Sequence, residues 1–323
     1  MAGTGTPPRE KARVYRTGRP DRLCSLLFAV AALILCAGIG AVLWHEWQGT
    51  RPTAAEQAEA DEIERADGGE EEIAAVTEDA ADGKIVVAID PGHGGVNPSV
   101  GSEDAGSLGS GLREADVTLK TATLVYDKLA RDGRFAPMLT ANGTEYLKPS
   151  RRAARAKAAG AQLLLSIHLN YDADSRVSGF ECCPATPQLS TNADSLRFAR
   201  LVAEKFGAMG MELRGIDGVR YIYFDGNDNR YIRESNDTTV LSDPTFTVVQ
   251  KCGCPAVLVE EGFITNAGDV ALVATDAACE AAAQAYYECI LTYFDLTKKA
   301  RCTPAGDSRV LTYYIRMPLQ WSI

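Results

Sequence analysis

Three runs of apolar residues mark the pattern of the chain between residues 84 and 299, at 85–89, 162–167 and 256–261. Each run is mostly continuous, which is typical of strands buried on both faces. Weaker strands are predicted at 134–140 and 179–183. Apolar residues at helical spacing predict helices at 112–132, 149–159, 194–209 and 276–294. Strands that alternate with helices predict a single three-layer α/β domain, with a mostly parallel twisted sheet flanked by helices.

A longer uncharged segment precedes this domain. Residues 23–44 contain no charged side chain, which is enough for a helix to cross about 30 Å of hydrocarbon. A cleavable signal peptide would have a shorter apolar core and a small-residue cleavage site, whereas this segment ends at Trp44, with Trp47 close behind. We therefore predict a single uncleaved transmembrane anchor. The basic tail at 1–22 places the N-terminus inside and the rest of the chain outside the cytoplasm.

The net charge of −10 is unevenly distributed along the 323 residues. Residues 50–83 alone carry a net charge of −10 and contain no aromatic residue, so we predict an acidic disordered linker over 45–83. The domain at 84–299 contains no basic patch, which argues against nucleic acid as a partner. The tail at 300–323 has no predicted role.

The nine cysteines do not show the paired CxxC spacing of zinc knuckles. We predict that most of them are buried thiols. A disulfide within the pair Cys279 and Cys289, or within the pair Cys252 and Cys254, is the alternative in an oxidising exterior.

Two of the three histidines follow buried strands, and the third lies in the flank of the predicted anchor. If these strands are parallel neighbours, His93, His168 and Glu260 emerge at one edge of the sheet, where α/β proteins bind ligands. Catalytic zinc takes three such ligands and a water, and a further carboxylate serves as acid and base. Glu114 and Glu260 are the candidates for the third zinc ligand and for the acid and base carboxylate, but the pattern does not decide which glutamate has which role. It also does not separate Glu260 from Glu261.

Each of these residues also has an ordinary structural explanation. His93 follows a Pro-Gly turn and is compatible with an exposed turn histidine. Glu114 lies at the start of a predicted helix, where the helix dipole favours a carboxylate. It is the combination of residues that favours a site.

Four motifs together resemble the zinc-dependent N-acetylmuramoyl-L-alanine amidases of bacterial cell walls. They follow the order of that family: Asp90-Pro-Gly-His93-Gly-Gly, Leu112-Arg-Glu114, Ser166-Ile-His168-Leu-Asn170 and Val259-Glu260-Glu-Gly-Phe263. The resemblance implies that His93, Glu114 and His168 bind Zn²⁺ and that Glu260 is the catalytic carboxylate. It also implies peptidoglycan as the substrate, cut at the amide between N-acetylmuramic acid and L-alanine.

The resemblance leaves some positions open. The family often has arginine where this chain has Ala141, and aspartate where it has Asn97. A zinc peptidase that cuts another stem-peptide bond, or a catalytically silent wall-binding regulator, remains the alternative function.

Substrate contacts are predicted from position alone. The segment 211–247 is longer and more polar than a simple connection, and such loops are often functional. We name Tyr223 and Asn227 from this segment as candidate substrate contacts. Asn170 and Arg152, which lie in or after the motifs, are the other two candidates.

Overall fold

The computed structural model describes residues 83–297. The predicted basic tail at 1–22, the anchor at 23–44, the acidic linker apart from its last residue, and the tail at 300–323 lie outside the described residues and remain predictions. Between residues 83 and 297, no helix has both the length and the apolar character needed to cross a membrane.

Eleven strands and six helices make up the described chain. The strands are β1 (Ile85–Pro91), β2 (Val96–Asn97), β3 (Ser102–Glu103), β4 (Leu108–Gly109), β5 (Leu112–Arg113), β6 (Phe135–Leu139), β7 (Leu163–Asn170), β8 (Glu181–Pro184), β9 (Arg220–Phe224), β10 (Arg230–Glu234) and β11 (Ala256–Phe263). The helices are α1 (Glu114–Arg131), α2 (Pro149–Ala158), α3 (Asn192–Ala208), α4 (Thr247–Lys251), α5 (Ala267–Val273) and α6 (Asp276–Tyr293).

A five-stranded sheet forms the centre, in the order β6-β1-β7-β11-β8. The first four strands are parallel, which confirms the predicted mostly parallel sheet, while β8 runs antiparallel to β11. Only residues 171–180 join β7 to β8. A β8 strand parallel to β7 would need a crossover of about a dozen residues or more. The shorter connection lets the chain reverse direction at the end of β7, so β8 runs antiparallel.

Helices cover both faces of the sheet and give the predicted three layers. Val87 and Ile89 of β1 point to one face, where they join a core with α1, α3 and α6. Val86 and Ala88 point to the other face and pack with α2 and α4. This alternation follows from the pleat of a strand. It also places the adjacent residues Glu260 and Glu261 of β11 on opposite faces of the sheet.

The six cysteines of the described chain are buried free thiols, as predicted for most of them. The alternative disulfides, within Cys279 and Cys289 or within Cys252 and Cys254, are therefore wrong. The first two residues lie on α6 and are buried in its packing face. The Cys252 thiol instead donates to the carbonyl oxygens of Val249 and Cys254.

Candidate active site

His93 lies in a tight turn directly after β1. Its backbone is left-handed, with φ of 63°, a conformation that is costly for a residue other than glycine and persists only where its surroundings impose it. Gly92 allows the close approach to β7, because a Cβ at this position would lie 2.6 Å from the His168 ring. The Gly92 amide also donates to the carbonyl of Ile167 at 2.9 Å.

Arg152 of α2 holds this turn in place through hydrogen bonds to backbone carbonyls and to Asp90. Its Nε donates to the carbonyl of Leu147 at 2.8 Å, and its NH2 donates to the carbonyl of His93 at 2.6 Å. Its NH1 donates to Asp90 Oδ1 at 3.1 Å and to the carbonyl of Pro91. Since every guanidinium nitrogen is engaged and the side chain is 5% exposed, Arg152 positions the turn. The described contacts of Arg152 therefore account for a positioning role and give no support to its predicted contact with substrate.

Three side chains from separate elements converge at the carboxyl edge of the sheet. Atoms of His93, Glu114 and His168 lie within 4.8 Å of one another, so the three residues could hold a metal ion. Glu114 Oε1 lies 3.0 Å from His168 Nδ1 and 3.4 Å from His93 Nε2. Two imidazoles and a carboxylate are a donor set that suits a divalent transition metal.

The electrostatics of this cluster also favour a cation. Burial tends to raise the pKa of Glu114, but hydrogen bonds and charge from the two histidines hold it well below its usual range. Burial likewise tends to lower the pKa of His93, yet Glu114 and Asp104 raise it to about 9. The carboxylates therefore create a negative potential at the point where the imidazole nitrogens meet.

Surrounding groups orient the three side chains. His93 Nδ1 lies 2.7 Å from Asp104 Oδ1, which leaves Nε2 facing the cluster. Both Glu114 oxygens accept backbone donors, from the Ser107 amide at 2.8 Å and the Leu169 amide at 3.0 Å. Carboxylates that bind the far nitrogen of a metal-ligating histidine fix its tautomer and orientation.

Sequence reasoning missed Asp104, because it lies in an irregular loop with no periodic pattern. Position 97, where the family often has aspartate, holds an asparagine whose side chain accepts from the Ser99 amide at 3.0 Å. The loop instead places Asp104 beside His93. The signal that could have found Asp104 is the known need of a ligand histidine for a nearby carboxylate.

The structure separates the two adjacent glutamates of β11. Glu260 pairs with His168 across the strands and lines the cavity at the cluster, and its Oε2 has no hydrogen-bond partner among the described residues. Burial raises its pKa to about 7. Glu261 points to the opposite face, where its Oε1 accepts from the Tyr286 hydroxyl at 2.9 Å and burial raises its pKa to about 8.

A cavity of about 750 Å³ opens over the cluster. Part of its wall comes from the segment 211–247, through Phe224 at the end of β9, Arg230 at the start of β10 and Phe246 before α4. The segment that is singled out by its length and polarity therefore forms part of the cavity wall. The hairpin β9-β10 also accounts for the length of the segment.

Of the candidate substrate contacts Asn170, Tyr223 and Asn227, only Asn170 lines the cavity. Asn170 lines the cavity and donates to Glu181 Oε1 at 2.7 Å. Tyr223 is buried within the hairpin and stacks on Tyr231, with ring centroids 5.4 Å apart. Asn227 lies at the exposed tip of the hairpin. Neither Tyr223 nor Asn227 is part of the cavity lining, so the structure gives no support to their predicted role.

The profile of the N-acetylmuramoyl-L-alanine amidase family matches residues 87–292, well over half of the chain. The chain belongs to the N-acetylmuramoyl-L-alanine amidase family. The matched residues of this amidase-family chain include all eleven strands except the first two residues of β1. The cluster of His93, Glu114 and His168, together with Glu260, lies entirely within the family domain.

Two of the curated relatives that match are named as N-acetylmuramoyl-L-alanine amidases. The N-acetylmuramoyl-L-alanine amidase LytC of Bacillus subtilis (strain 168) is 30% identical over 209 residues, 64% of this chain and 35% of LytC. This chain therefore spans only about a third of the length of LytC. The N-acetylmuramoyl-L-alanine amidase AmiA of Escherichia coli (strain K12) is 28% identical over 236 residues, 66% of this chain and 77% of AmiA.

Solved structures support the same fold. The catalytic domain of CwlV, an N-acetylmuramoyl-L-alanine amidase from Bacillus (Paenibacillus) polymyxa var. colistinus, aligns with a TM-score of 0.51 and 26% identity, covering 66% of this chain and 99% of that domain. An N-acetylmuramoyl-L-alanine amidase from Clostridium difficile 630 aligns with a TM-score of 0.52 and 23% identity, covering 67% and 99%. The second likeness bears on the fold alone.

Proposed function

We propose that this chain is a zinc-dependent amidase that cuts the amide bond between N-acetylmuramic acid and L-alanine in peptidoglycan. The observation that carries the proposal is the convergence of His93, Glu114 and His168 beside Glu260 in one open cavity. The identity of the bond that is cut is inferred from membership of the amidase family.

The donor set fits Zn²⁺, which is commonly held in catalytic sites by three protein side chains of these types. When bound, Zn²⁺ supplies Lewis-acid chemistry that polarises a carbonyl and makes water a better nucleophile. His93, Glu114 and His168 would hold it. Asp104 keeps the His93 ring in the orientation that presents Nε2.

Glu260 is the proton carrier in this proposal. Its Oε2 has no protein partner in the described chain, and a pKa of about 7 allows the carboxylate to accept and release a proton near neutral pH. The Glu260 carboxylate takes a proton from the attacking water and returns it to the leaving nitrogen of L-alanine. Because the side chain is buried at the cavity wall, bulk water competes little for that proton.

Two alternatives have a direct test. A zinc peptidase would cut a different bond of the stem peptide, and a silent wall-binding regulator would cut none. Purified peptidoglycan is digested with the full chain, and the released fragments are identified by mass. Intact stem peptides with a free L-alanine amine, together with peptide-free glycan, are expected. Fragments cut within the stem peptide, or no fragments at all, would refute the amidase proposal.

We also propose that the chain is anchored in the cell membrane by residues 23–44 and that the amidase domain lies outside the cytoplasm. The support is the uncharged length of this segment and its basic flank, since peptidoglycan is also outside. Protease added to intact protoplasts should remove the domain and leave a small membrane-bound fragment. A domain that is protected until the cells are lysed would contradict this topology.

A further inference from the structure

A buried carboxylate beside the cavity, that of Glu181, lies close to three arginine side chains. Glu181 of β8 is 2% exposed, and its Oε1 accepts from Asn170 at 2.7 Å and from Arg230 NH2 at 3.3 Å. Its Oε2 accepts from Arg220 NH1 at 3.1 Å, and Arg214 Nε lies 3.8 Å away. Three guanidinium groups therefore surround one carboxylate.

One of these three arginines remains available to a ligand. Arg220 is also paired with Glu234, at 3.4 Å from Nε to Oε1. Arg214 donates to the carbonyl of Ser178 and packs over an aromatic ring. For the Arg230 side chain, the bond from NH2 to Glu181 is the only hydrogen bond that the described residues provide, and the side chain is 37% exposed.

Arg230 is also the accessible arginine of the cavity. Among the described residues that line it, the acidic ones are Asp90, Asp104, Glu114, Asp228 and Glu260, and the other arginine is Arg152. The guanidinium of Arg152 is already bonded, through NH1 and NH2 to the turn that carries His93 and through Nε to the carbonyl of Leu147. Away from the cluster of His93, Glu114 and His168, a negatively charged ligand in this cavity would therefore find its exposed counter-charge at Arg230.

We propose that Arg230, backed by Glu181, is a specificity-determining residue that binds a carboxylate of the stem peptide. This inference rests on the proposed amidase function, since it places the peptide side of the scissile amide over β8 and the hairpin β9-β10. Arginine binds carboxylates through a planar fork of donors. The bond to Glu181 holds one arm of that fork and lowers the entropy lost on binding.

The strand register sets which carboxylate can reach Arg230. His168 pairs with Glu260, and Glu260 pairs with Glu181. Two strand spacings separate His168 from Glu181, about 10 Å in all, and an extended peptide covers that distance in about three residues. The carboxylate therefore belongs to the first three residues of the stem peptide.

The test uses N-acetylmuramoyl peptides in two forms, one with free stem-peptide carboxylates and one with these groups converted to carboxamides. Their affinities for the full chain with Zn²⁺ are measured by calorimetry in a Glu260→Gln background, which limits turnover. With Arg230 intact, this chain should bind the carboxylate form roughly ten- to a hundredfold more tightly than the carboxamide form, which is the range expected for a hydrogen bond to a charged group. Arg230→Gln should bring this ratio close to one, and Arg230→Lys should restore part of it.

Arg233→Gln is the matched control, because it removes the same charge from the same strand. Arg233 is exposed, pairs with Asp237 and is not part of the cavity lining. It should keep the parent ratio. Equal affinities for the two peptide forms in the parent chain, or an Arg230→Gln variant that weakens both forms equally, would overturn the inference. Cleavage by the parent chain reports separately on the proposed function.

Discussion

Exchanging either glutamate of β11 for glutamine should produce opposite results, although the two residues are adjacent. Glutamine keeps the size and hydrogen-bonding capacity of glutamate but cannot carry a proton at neutral pH. Glu260 lines the cavity, whereas Glu261 faces α6 and accepts from Tyr286. The pleat of the strand therefore predicts that only Glu260→Gln changes catalysis.

The magnitude follows from what each side chain does. A positioned general acid or base contributes roughly 10²–10⁴ in rate, so Glu260→Gln should lose that factor in kcat while zinc content stays near that of the parent. Glu261 has a pKa of about 8 and is mostly neutral at pH 7. Glutamine at 261 is then a close substitute that still accepts from Tyr286, and the rate should change less than about threefold.

Rates of release of stem peptides from peptidoglycan, together with elemental analysis of zinc, provide the assay. Glu114→Gln is the comparison, because a neutral amide is a poorer ligand than a carboxylate. This variant should lose zinc before it loses rate per bound zinc. If Glu261→Gln abolished cleavage and Glu260→Gln retained it, the assignment of the proton carrier by strand alternation would be wrong.

The remaining predictions concern residues around the site. Asp104→Asn should weaken zinc affinity roughly 10–100-fold, measured by competition with a chelator, because it loosens the orientation of His93; unchanged affinity would remove Asp104 from the site. The pKa of Glu261 is raised from 4.5 to about 8, so its contribution to stability is present below about pH 4.5 and lost as pH rises through 8. Melting temperatures across this window should fall less for Glu261→Gln than for the parent chain, and parallel curves would contradict the shift. Arg152→Met should destabilise the fold by about 3–5 kcal/mol in denaturant unfolding, since it leaves a buried carboxylate unpaired. Arg151→Met on the same helix should cost much less, and equal losses would show that Arg152 has no special role.

Much of the fold was predictable because its signals are local. Continuous apolar runs mark the parallel strands, and the helical spacing of apolar residues places the four long helices to within a few residues of their observed bounds. The antiparallel direction of β8 was not predictable from its own residues. It depends on the short connection at 171–180 and on pairing with β11, which lies more than seventy residues later.

The sequence by itself determined the family and the positions of His93, Glu114, His168 and Glu260, because each lies in a compact motif at a strand end or helix start. Only the tertiary structure decided which groups support them. Arg152, read as a candidate substrate contact, is bonded through NH1 and NH2 to the turn that carries His93 and through Nε to the carbonyl of Leu147.

Long-range packing also decided the wall of the cavity. Glu181 meets Arg230 across 49 positions of sequence, and neither residue lies in a motif. Tyr223 and Asn227 come from the same hairpin as Arg230, but the twist and pairing of that hairpin turn them away from the cavity. Sequence patterns record the period of an element and the chemistry of its ends. Which side chains meet between distant elements depends on their packing, and that information is absent from any single stretch of the chain.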